Sequence, residues 1–229
     1  DDFGATWTKL TSGLPNEPVN VVCEDPINQN IIYIGTDNGL YISLNTGSEF
    51  FSAGKTFPAV AVHDLEVHPT ANELIVGTHG RSIYTANVSV LQQFNTSMEN
   101  KQITLINVKN IRHNPNWGRS WSKWFASAPQ PHAYPFFANT PGKLKISISN
   151  KAGLLIAETF IEVEKGVGFA NYDLTVLPTS ITKFNEQRKA EGLMPIEKAD
   201  DGKYYIPTGT YKIGLTLGNN TDSAEFTVK

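Results

Sequence analysis

The sequence is poor in the groups that would point directly to a function. It has one cysteine, Cys23, in 229 residues, which excludes an internal disulfide framework and a zinc site built from several thiolates. No run of Lys or Arg is present and the net charge is −3, so the composition does not indicate a nucleic-acid or anionic-membrane partner. No apolar stretch reaches the roughly 18 residues of a membrane span. Cys23 follows Val22 in an apolar run and is predicted to be buried and inert.

The N-terminal part of the chain contains an internal repeat. VNVVCEDPINQNIIYIGTDNGLYIS begins at Val19, and VHDLEVHPTANELIVGTHGRSIYTA begins at Val62. Each has an apolar strand that ends before a proline, a second strand that ends in Gly-Thr, and a third strand that contains Tyr. Matching features are offset by 42 to 43 residues. This period, with short strands rich in Val, Ile and Tyr, predicts four-stranded blades of a β-propeller.

A turn motif follows the third strand of the complete blade, in SLNTGSEF, and a second copy lies in DDFGATW at the start of the chain. An Asp or Asn side chain can accept hydrogen bonds from turn amides, and glycine allows a positive φ. We therefore predict a structural role for the motif, with its aromatic residue packed between sheets. Its residues are Asp2, Gly4, Thr6 and Trp7 in one copy and Ser43, Asn45, Gly47 and Phe50 in the other.

The motif and its surroundings resemble the Asp-box or BNR repeat. WTKLTSGLPNEPVNVVCEDPINQNIIYIGTDNGLYIS, with GTHGRSIY further on, is similar to the last blades of bacterial sortilin-like (VPS10-type) propeller proteins, often labelled glycosyl hydrolase BNR-repeat proteins. The resemblance is strongest over about residues 1–90 and implies that a longer parent chain supplies the other blades. It extends more weakly to the second half of the chain, where the family often carries an immunoglobulin-like or fibronectin-like module. Asn45, Glu49 and Phe50 depart from the family pattern, which indicates a decaying structural repeat.

The second half of the chain has the pattern of a different all-β domain. Three segments alternate apolar and polar side chains, as antiparallel strands with one buried face do. Their apolar positions are Leu144, Ile146 and Ile148, then Tyr211, Ile213, Leu215 and Leu217, and then Ala224, Phe226 and Val228. We expect propeller blades over 1–88, a connecting region over 89–133, and a β-sandwich over 134–229, which the resemblance implies is immunoglobulin-like. TSITKFNEQRKAEGL, which starts at Thr179, predicts one short surface helix within the sandwich.

Propeller geometry places the turns between second and third strands on the face that binds ligands in enzymes of related architecture. The candidate ligand-face residues are Asp37 and Asn38 in one blade and His79 and Arg81 in the next. His79 and Arg81 could contact an acidic or sugar ligand. The competing interpretation, which we favour here, is that they brace the last blade through backbone carbonyls.

No catalytic or metal constellation is evident in the sequence. A glycosidase needs two carboxyl groups on either side of the scissile bond, and no such pair stands out. His63 and His68 are five residues apart on a strand, so alternation places them on opposite faces and argues against a metal shared with His79. Asp200-Asp201-Gly202 lacks the spaced carboxylates of a calcium loop. We expect no catalytic residue, metal or cofactor in this chain.

Three tryptophans in WGRSWSKW form the most conspicuous run in the middle of the chain. Trp117, Trp121 and Trp124 have i, i+4, i+7 spacing, which would form one aromatic stripe on a helix. An exposed stripe could stack on sugar rings, whereas a buried one would join the two domains. We favour interdomain packing, because three exposed indole rings would reduce solubility.

The sequence thus predicts a non-catalytic C-terminal fragment of a secreted sortilin-like propeller protein, with a structural or ligand-binding role. The alternative is part of an Asp-box glycoside hydrolase whose catalytic residues lie in missing N-terminal blades. The resemblance implies an extracellular, cell-surface or periplasmic location. The expected partners are the remaining blades and a glycan or protein ligand, without nucleic acid and without a membrane span.

Overall fold

A computed structural model describes residues 3–54, 57–122, 125–126, 129 and 131–229, and the chain is all-β. It divides into two compact units, Asp1–Asn100 and Lys101–Lys229. The sheets are antiparallel, and their strands are joined mostly by short turns. This agrees with the fold class predicted from the alternating sequence pattern.

The first unit consists of two consecutive antiparallel meanders, with strand orders β1-β2-β3-β4 and β5-β6-β7. A short helix, α1 (Thr96–Glu99), follows them, capped by the Asn95 side chain on the amide of Ser97. The strands are β1 (Val19–Glu24), β2 (Ile32–Thr36), β3 (Gly39–Ser43), β4 (Phe51–Ser52), β5 (Val62–His68), β6 (Glu73–Thr78) and β7 (Ile83–Asn87).

The two meanders pack against each other at a close approach between β2 and β5. A side chain at Gly35 would place its Cβ 2.5 Å from Cγ1 of Val62 and 2.6 Å from Cγ1 of Val21. Val62 itself is fully buried. Glycine at position 35 is therefore required by the contact between sheets, and not by an unusual backbone conformation.

The second unit is a sandwich of two sheets, with strand orders β14-β11-β8 and β13-β12-β15-β16. A separate two-stranded sheet, formed by β9 and β10, comes between β8 and β11 in the chain. One helix, α2 (Ile181–Ala190), follows β14. The strands are β8 (Ile103–Leu105), β9 (Ser120–Ser122), β10 (Phe125–Ala126), β11 (His132–Ala138), β12 (Gly142–Asn150), β13 (Leu155–Val163), β14 (Gly166–Tyr172), β15 (Gly209–Leu217) and β16 (Asn220–Val228).

The sandwich core comes from the period-2 pattern that the sequence displays. Leu144, Ile146 and Ile148 of β12 are at most 2% exposed, and they share one core with Tyr134 of β11 and Phe226 of β16. The intervening Lys143, Lys145 and Ser147 lie on the opposite face of the sheet, as the register of β12 with β13 requires. α2 contributes Phe184 to the same core.

The second unit begins earlier in the chain than the predicted sandwich over 134–229. β8, which lies within the region 89–133, pairs with β11, and Ile111 forms a parallel bridge with Val228. The amide of Ile111 donates to the carbonyl of Thr227, and the amide of His113 donates to the carbonyl of Lys229. A three-residue strand and an isolated bridge depend on distant partners, so local sequence carries little signal for either.

Candidate functional site

The turn at Ser43–Phe50 uses its polar side chains internally. Ser43 Oγ accepts hydrogen bonds from the amides of Gly47 (2.9 Å) and Asn45 (3.3 Å) and donates to Asn45 Oδ1 (2.9 Å). Asn45 Oδ1 also accepts from the amide of Glu49 at 3.0 Å. Asn45 Nδ2 donates to Glu99 Oε1 at 2.5 Å. The geometry is that of a braced turn, with Gly47 at a φ of 81°.

Phe50 anchors this turn to the segment before β1. Its side chain is 3% exposed, and its amide donates to the carbonyl of Ser12 at 2.8 Å. Gly13 lies so close that a Cβ there would be 1.9 Å from the carbonyl oxygen of Phe50. The turn, the aromatic residue and the preceding segment therefore form one packed element.

The first copy of the motif does not have this packing. Trp7 is 90% exposed, so the expectation that it packs between sheets is wrong for this structure. Gly4 has a φ of 84°, a Cβ at this position would lie 3.8 Å from the Trp7 ring, and Thr6 is exposed. Asp2 lies outside the described residues. Trp7 precedes β1, and in the described part of the chain no strand of an earlier blade is present to cover it.

A buried carboxylate that the sequence analysis missed holds the first meander together. Asp25 is 1% exposed, and its Oδ1 accepts from the amides of Ile27 (2.8 Å) and Asn28 (3.0 Å). Its Oδ2 accepts from the hydroxyl of Tyr33 (3.0 Å) and from Gln92 Nε2 (3.0 Å). The only sequence signal is the Asp-Pro pair at the end of β1, because Gln92 lies 67 residues away.

This environment suppresses ionisation of the neighbouring groups. Burial, and then the charge of Asp25, raises the pKa of Tyr33 well above its usual value. Burial likewise raises the pKa of the Cys23 thiol. Cys23 is half-buried, and not fully buried as the sequence predicts, because it lies on the first strand of the meander. A thiol with a raised pKa is a poor nucleophile at neutral pH.

The candidate ligand-face turn of the first meander is also held by neighbouring side chains. Asp37 Oδ1 accepts from Asn20 Nδ2 at 3.0 Å, and Asn38 Nδ2 donates to Glu17 Oε2 at 2.8 Å. Both Asp37 and Asn38 are exposed. The turn therefore presents an amide–carboxylate pair to solvent.

The equivalent turn of the second meander is braced by its backbone and by Thr78. Thr78 Oγ1 donates to the carbonyl of Ser82 at 2.6 Å, and the amide of His79 donates to the carbonyl of Ala61 at 2.9 Å. Among the described residues, the side chains of His79 and Arg81 make no hydrogen bond, so the bracing role favoured from the sequence does not apply to them. The His79 ring instead meets the His63 ring, with centroids 5.7 Å apart.

The tryptophans do not form a helical stripe. Trp117 lies in a turn and the backbone of Trp121 lies in β9, so the i, i+4, i+7 spacing does not describe one face. Trp117 is half-buried against the sandwich core, with ring contacts to His113 (5.1 Å) and Tyr205 (6.2 Å). Trp124 and the side chain of Trp121 lie outside the described residues.

The Asp200–Gly202 turn supports the segment that carries Trp117. Asp200 Oδ2 accepts from the amide of Ser120 at 2.9 Å, and the amide of Asp201 donates to the carbonyl of Gly118 at 3.0 Å. Tyr205 donates its hydroxyl to Asp201 Oδ2 at 2.5 Å. Both carboxylates are thus used in packing this turn. Within the described residues, no group of three or more His, Cys, Asp or Glu side chains could hold a metal ion.

A groove of about 330 Å³ lies in the second unit, where the edge strands β13 and β14 separate. Core residues such as Ile146 and Tyr172 line it, together with the polar residues Glu158, Asn171 and Asp173. Glu158 forms an ion pair with Lys145, and Asp173 accepts from the Thr175 hydroxyl at 2.7 Å. The two carboxylates at the groove therefore already have partners within the sandwich.

Comparison with known proteins gives similarity only at the level of solved structures. No protein-family model and no curated protein matches the chain. The chain is similar to PorZ, an essential bacterial surface component of the type-IX secretion system of Porphyromonas gingivalis, at 13% identity and a TM-score of 0.32, over 93% of this chain and 23% of that one. Two structures of the extracellular domain of BT4673 from B. thetaiotaomicron match at 9% identity and TM-scores of 0.26 and 0.27, over 93% of this chain and 25% of theirs.

The chain therefore spans about a quarter of the length of these structures. Among the described residues, no helix is both long and apolar enough to cross a membrane. The sortilin-like family assignment remains a prediction.

Proposed function

We propose that this chain is a non-catalytic part of a secreted bacterial Asp-box propeller protein, in which two blades are followed by an immunoglobulin-like module. Its role is structural, with ligand binding on the turns that carry His79 and Arg81. The observation that carries this proposal is that the side chains of Ser43 and Asn45 form hydrogen bonds within their own turn. Each of its side-chain oxygens is bonded to an amide or hydroxyl of the turn itself.

The state of the carboxylates in the first unit supports a non-catalytic role. Glycoside hydrolysis needs one carboxyl group as an acid and a second as a base or nucleophile, both open to the substrate. Asp25 is buried and accepts hydrogen bonds from two backbone amides, a hydroxyl and a side-chain amide, and Asp37 is bonded to Asn20. Asp25 thus holds the fold of the first meander, and Asp37 is bonded to a neighbouring side chain of the same meander.

His79 and Arg81 are the side chains that we assign to ligand contact. Both are exposed on the turn after β6. Their chemistry suits an anionic or polyhydroxylated partner, such as an acidic glycan or a carboxylate-rich protein segment, because the guanidinium donates in a fixed fork. The remaining blades of the parent would surround this turn, and the location would be extracellular, at the cell surface or in the periplasm.

The test measures hydrolysis and binding on the same purified chain. We expect no release of reducing ends from a panel of neutral and acidic oligosaccharides. We expect binding to acidic members of the panel to weaken in Arg81→Ala, whereas Lys151→Ala, an exposed change in the second unit, leaves it unchanged. Hydrolysis by the chain, or equal binding by both variants, would contradict the proposal. Hydrolysis only by a longer protein with the upstream blades would favour the glycoside-hydrolase alternative.

A further inference from the structure

Both meanders carry a β-bulge at the same position. In the first, Val19 pairs with Thr36 and Val21 pairs with Gly35, which leaves Asn20 as the extra residue. In the second, the register shifts between Val62 and Asp64, which leaves His63 as the extra residue. A bulge redirects a side chain out of the normal alternation of a strand. Asn20 and His63 thus occupy equivalent positions, and the directions of their side chains do not follow from the alternation of the strand.

Each bulge residue meets the first residue of the turn after the next strand. Asn20 donates to Asp37 at 3.0 Å in the first meander. In the second, the rings of His63 and His79 lie edge to face, with centroids 5.7 Å apart and an interplanar angle of 76°. One backbone arrangement therefore presents an amide–carboxylate pair in one repeat and two imidazoles in the next.

The two imidazoles are exposed, and the backbone beneath them is fixed. The amide of His79 is bonded to the carbonyl of Ala61, and the amide of Thr78 is bonded to the carbonyl of Ser82. Within the described part of the chain, neither ring has a hydrogen-bond partner. A ligand can therefore take up their nitrogen atoms without breaking an existing bond, and little ordering of the backbone is needed.

We propose that His63 and His79 form a binding site for a borderline divalent transition metal, with Zn²⁺ as the reference ion. Imidazole suits Zn²⁺, Ni²⁺ and Cu²⁺, whereas Ca²⁺ and Mg²⁺ prefer oxygen ligands. With metal–nitrogen bonds of about 2.0 Å, two imidazoles on one tetrahedral ion have ring centroids about 5 Å apart. The centroids in this structure are 5.7 Å apart, so the two exposed rings need to approach each other only slightly to share one ion.

The site supplies two protein ligands, so its other coordination positions remain open. Water or a donor atom of a bound partner would complete the shell, as in zinc sites that keep an exchangeable position. This inference goes beyond the proposed function and does not depend on it, because the metal is bound by this chain's own side chains whether or not a glycan binds to the same turn.

Calorimetric titration of the chelator-treated chain with Zn²⁺ tests the site. We expect one saturable site per chain at sub-millimolar Zn²⁺. His63→Asn and His79→Asn should each weaken binding at least about tenfold, because each leaves a single imidazole. Asparagine is the residue at the equivalent bulge, Asn20, so the backbone should tolerate His63→Asn, and unchanged thermal unfolding of both variants confirms that they fold.

His68→Asn is the matched control. His68 lies on the same strand, but its Nδ1 accepts from the amides of Thr70 and Ala71, away from the pair. We expect this variant to bind Zn²⁺ as the unmodified chain does, and MgCl₂ to give no isotherm. Absence of saturable binding, unchanged binding in both pair variants, or an equal loss in His68→Asn would overturn the proposal.

Discussion

Tyr33 donates its hydroxyl to Asp25 Oδ2 at 3.0 Å, and neither side chain is more than 1% exposed. The pair links the polar turn after β1 to the middle of β2. Gln92 donates to the same carboxylate from beyond β7. A single buried carboxyl group thus joins the beginning and the end of the repeat region.

Substitution of this pair should destabilise the first unit to different extents. We expect Asp25→Ala to cost about 3 kcal/mol or more, because it leaves several buried donors without an acceptor. Tyr33→Phe should cost about 1 kcal/mol, because the other donors remain on the carboxylate. Urea unfolding followed by hydrogen exchange in β2 measures both values. An exposed control, Asp37→Ala, should stay within about 0.5 kcal/mol of the parent chain.

The Ser43 turn should contribute through its hydroxyl. Ser43→Ala removes the acceptor for the amides of Asn45 and Gly47, and we expect a loss of about 1–3 kcal/mol because Ser43 is fully buried. Ser48→Ala, an exposed change in the same turn, is the matched control. Equal unfolding midpoints for the two variants would show that the Ser43 hydroxyl does not brace the turn.

Phe50→Ala should unfold the first unit and leave the sandwich folded. Truncation of a buried aromatic side chain costs about 3–5 kcal/mol. Hydrogen exchange should therefore accelerate in β2 and β3, while protection in β12 and β15 is retained. An unchanged melting curve would remove Phe50 from its assigned role as a blade anchor.

Gly35→Ala should loosen the packing between the two meanders. The added methyl group would overlap Val62 and Val21, and overpacking of this kind costs about 1–3 kcal/mol. Gly39→Ala is the control, because its nearest atom lies 3.7 Å away, at ordinary contact distance. Differential scanning calorimetry of both variants gives the comparison, and a Gly35→Ala chain as stable as Gly39→Ala would contradict the close approach.

Acidification should destabilise the second unit through His132. Burial lowers the pKa of His132 from its usual 6.5, and its Nε2 has no partner among the described residues. The unfolded chain therefore binds a proton at a higher pH than the folded chain does. Stability is fully present above pH 6.5 and falls as the pH drops towards the lower folded-state pKa.

His132→Phe removes this titrating group and keeps a ring beside Tyr134, whose centroid lies 4.6 Å away. We expect the slope of unfolding free energy against pH between 7 and 5 to become shallower in this variant. His68→Gln, which changes an exposed histidine of the first unit, should leave that slope unchanged. A parent-like slope in His132→Phe would assign the acid sensitivity to another group.

The sequence predicted the elements whose pattern lies within a few residues of chain, and it failed where an element depends on contacts between distant residues. The meanders, the strands around Ile146 and Ile213, and the helix beginning at Ile181 follow patterns within a few residues of chain. Asp25 was missed because one of its partners is 67 residues away. β8 was missed because three residues form a strand only beside β11.

The candidate sites show the same limit. Strand alternation alone gave no reason to place His63 beside His79, but a bulge shifts the register at that point. The helical spacing of the tryptophans was coincidental, because a turn at Trp117 is followed by the strand β9. One inserted residue or one turn changes which side chains share a face, and the spacing of residues in the sequence reveals neither.

The bulges at Asn20 and His63 have a consequence for how such repeats can diverge. The paired residues on either side fix the backbone at each bulge, so a mutation of the bulge residue changes the exposed side chain with little effect on the hydrogen bonds between the strands. Gene duplication would therefore copy, with each repeat, one strand position that tolerates substitution. Selection could then change the residue at each bulge without changing the strands, as happens with loop residues in other repeat proteins.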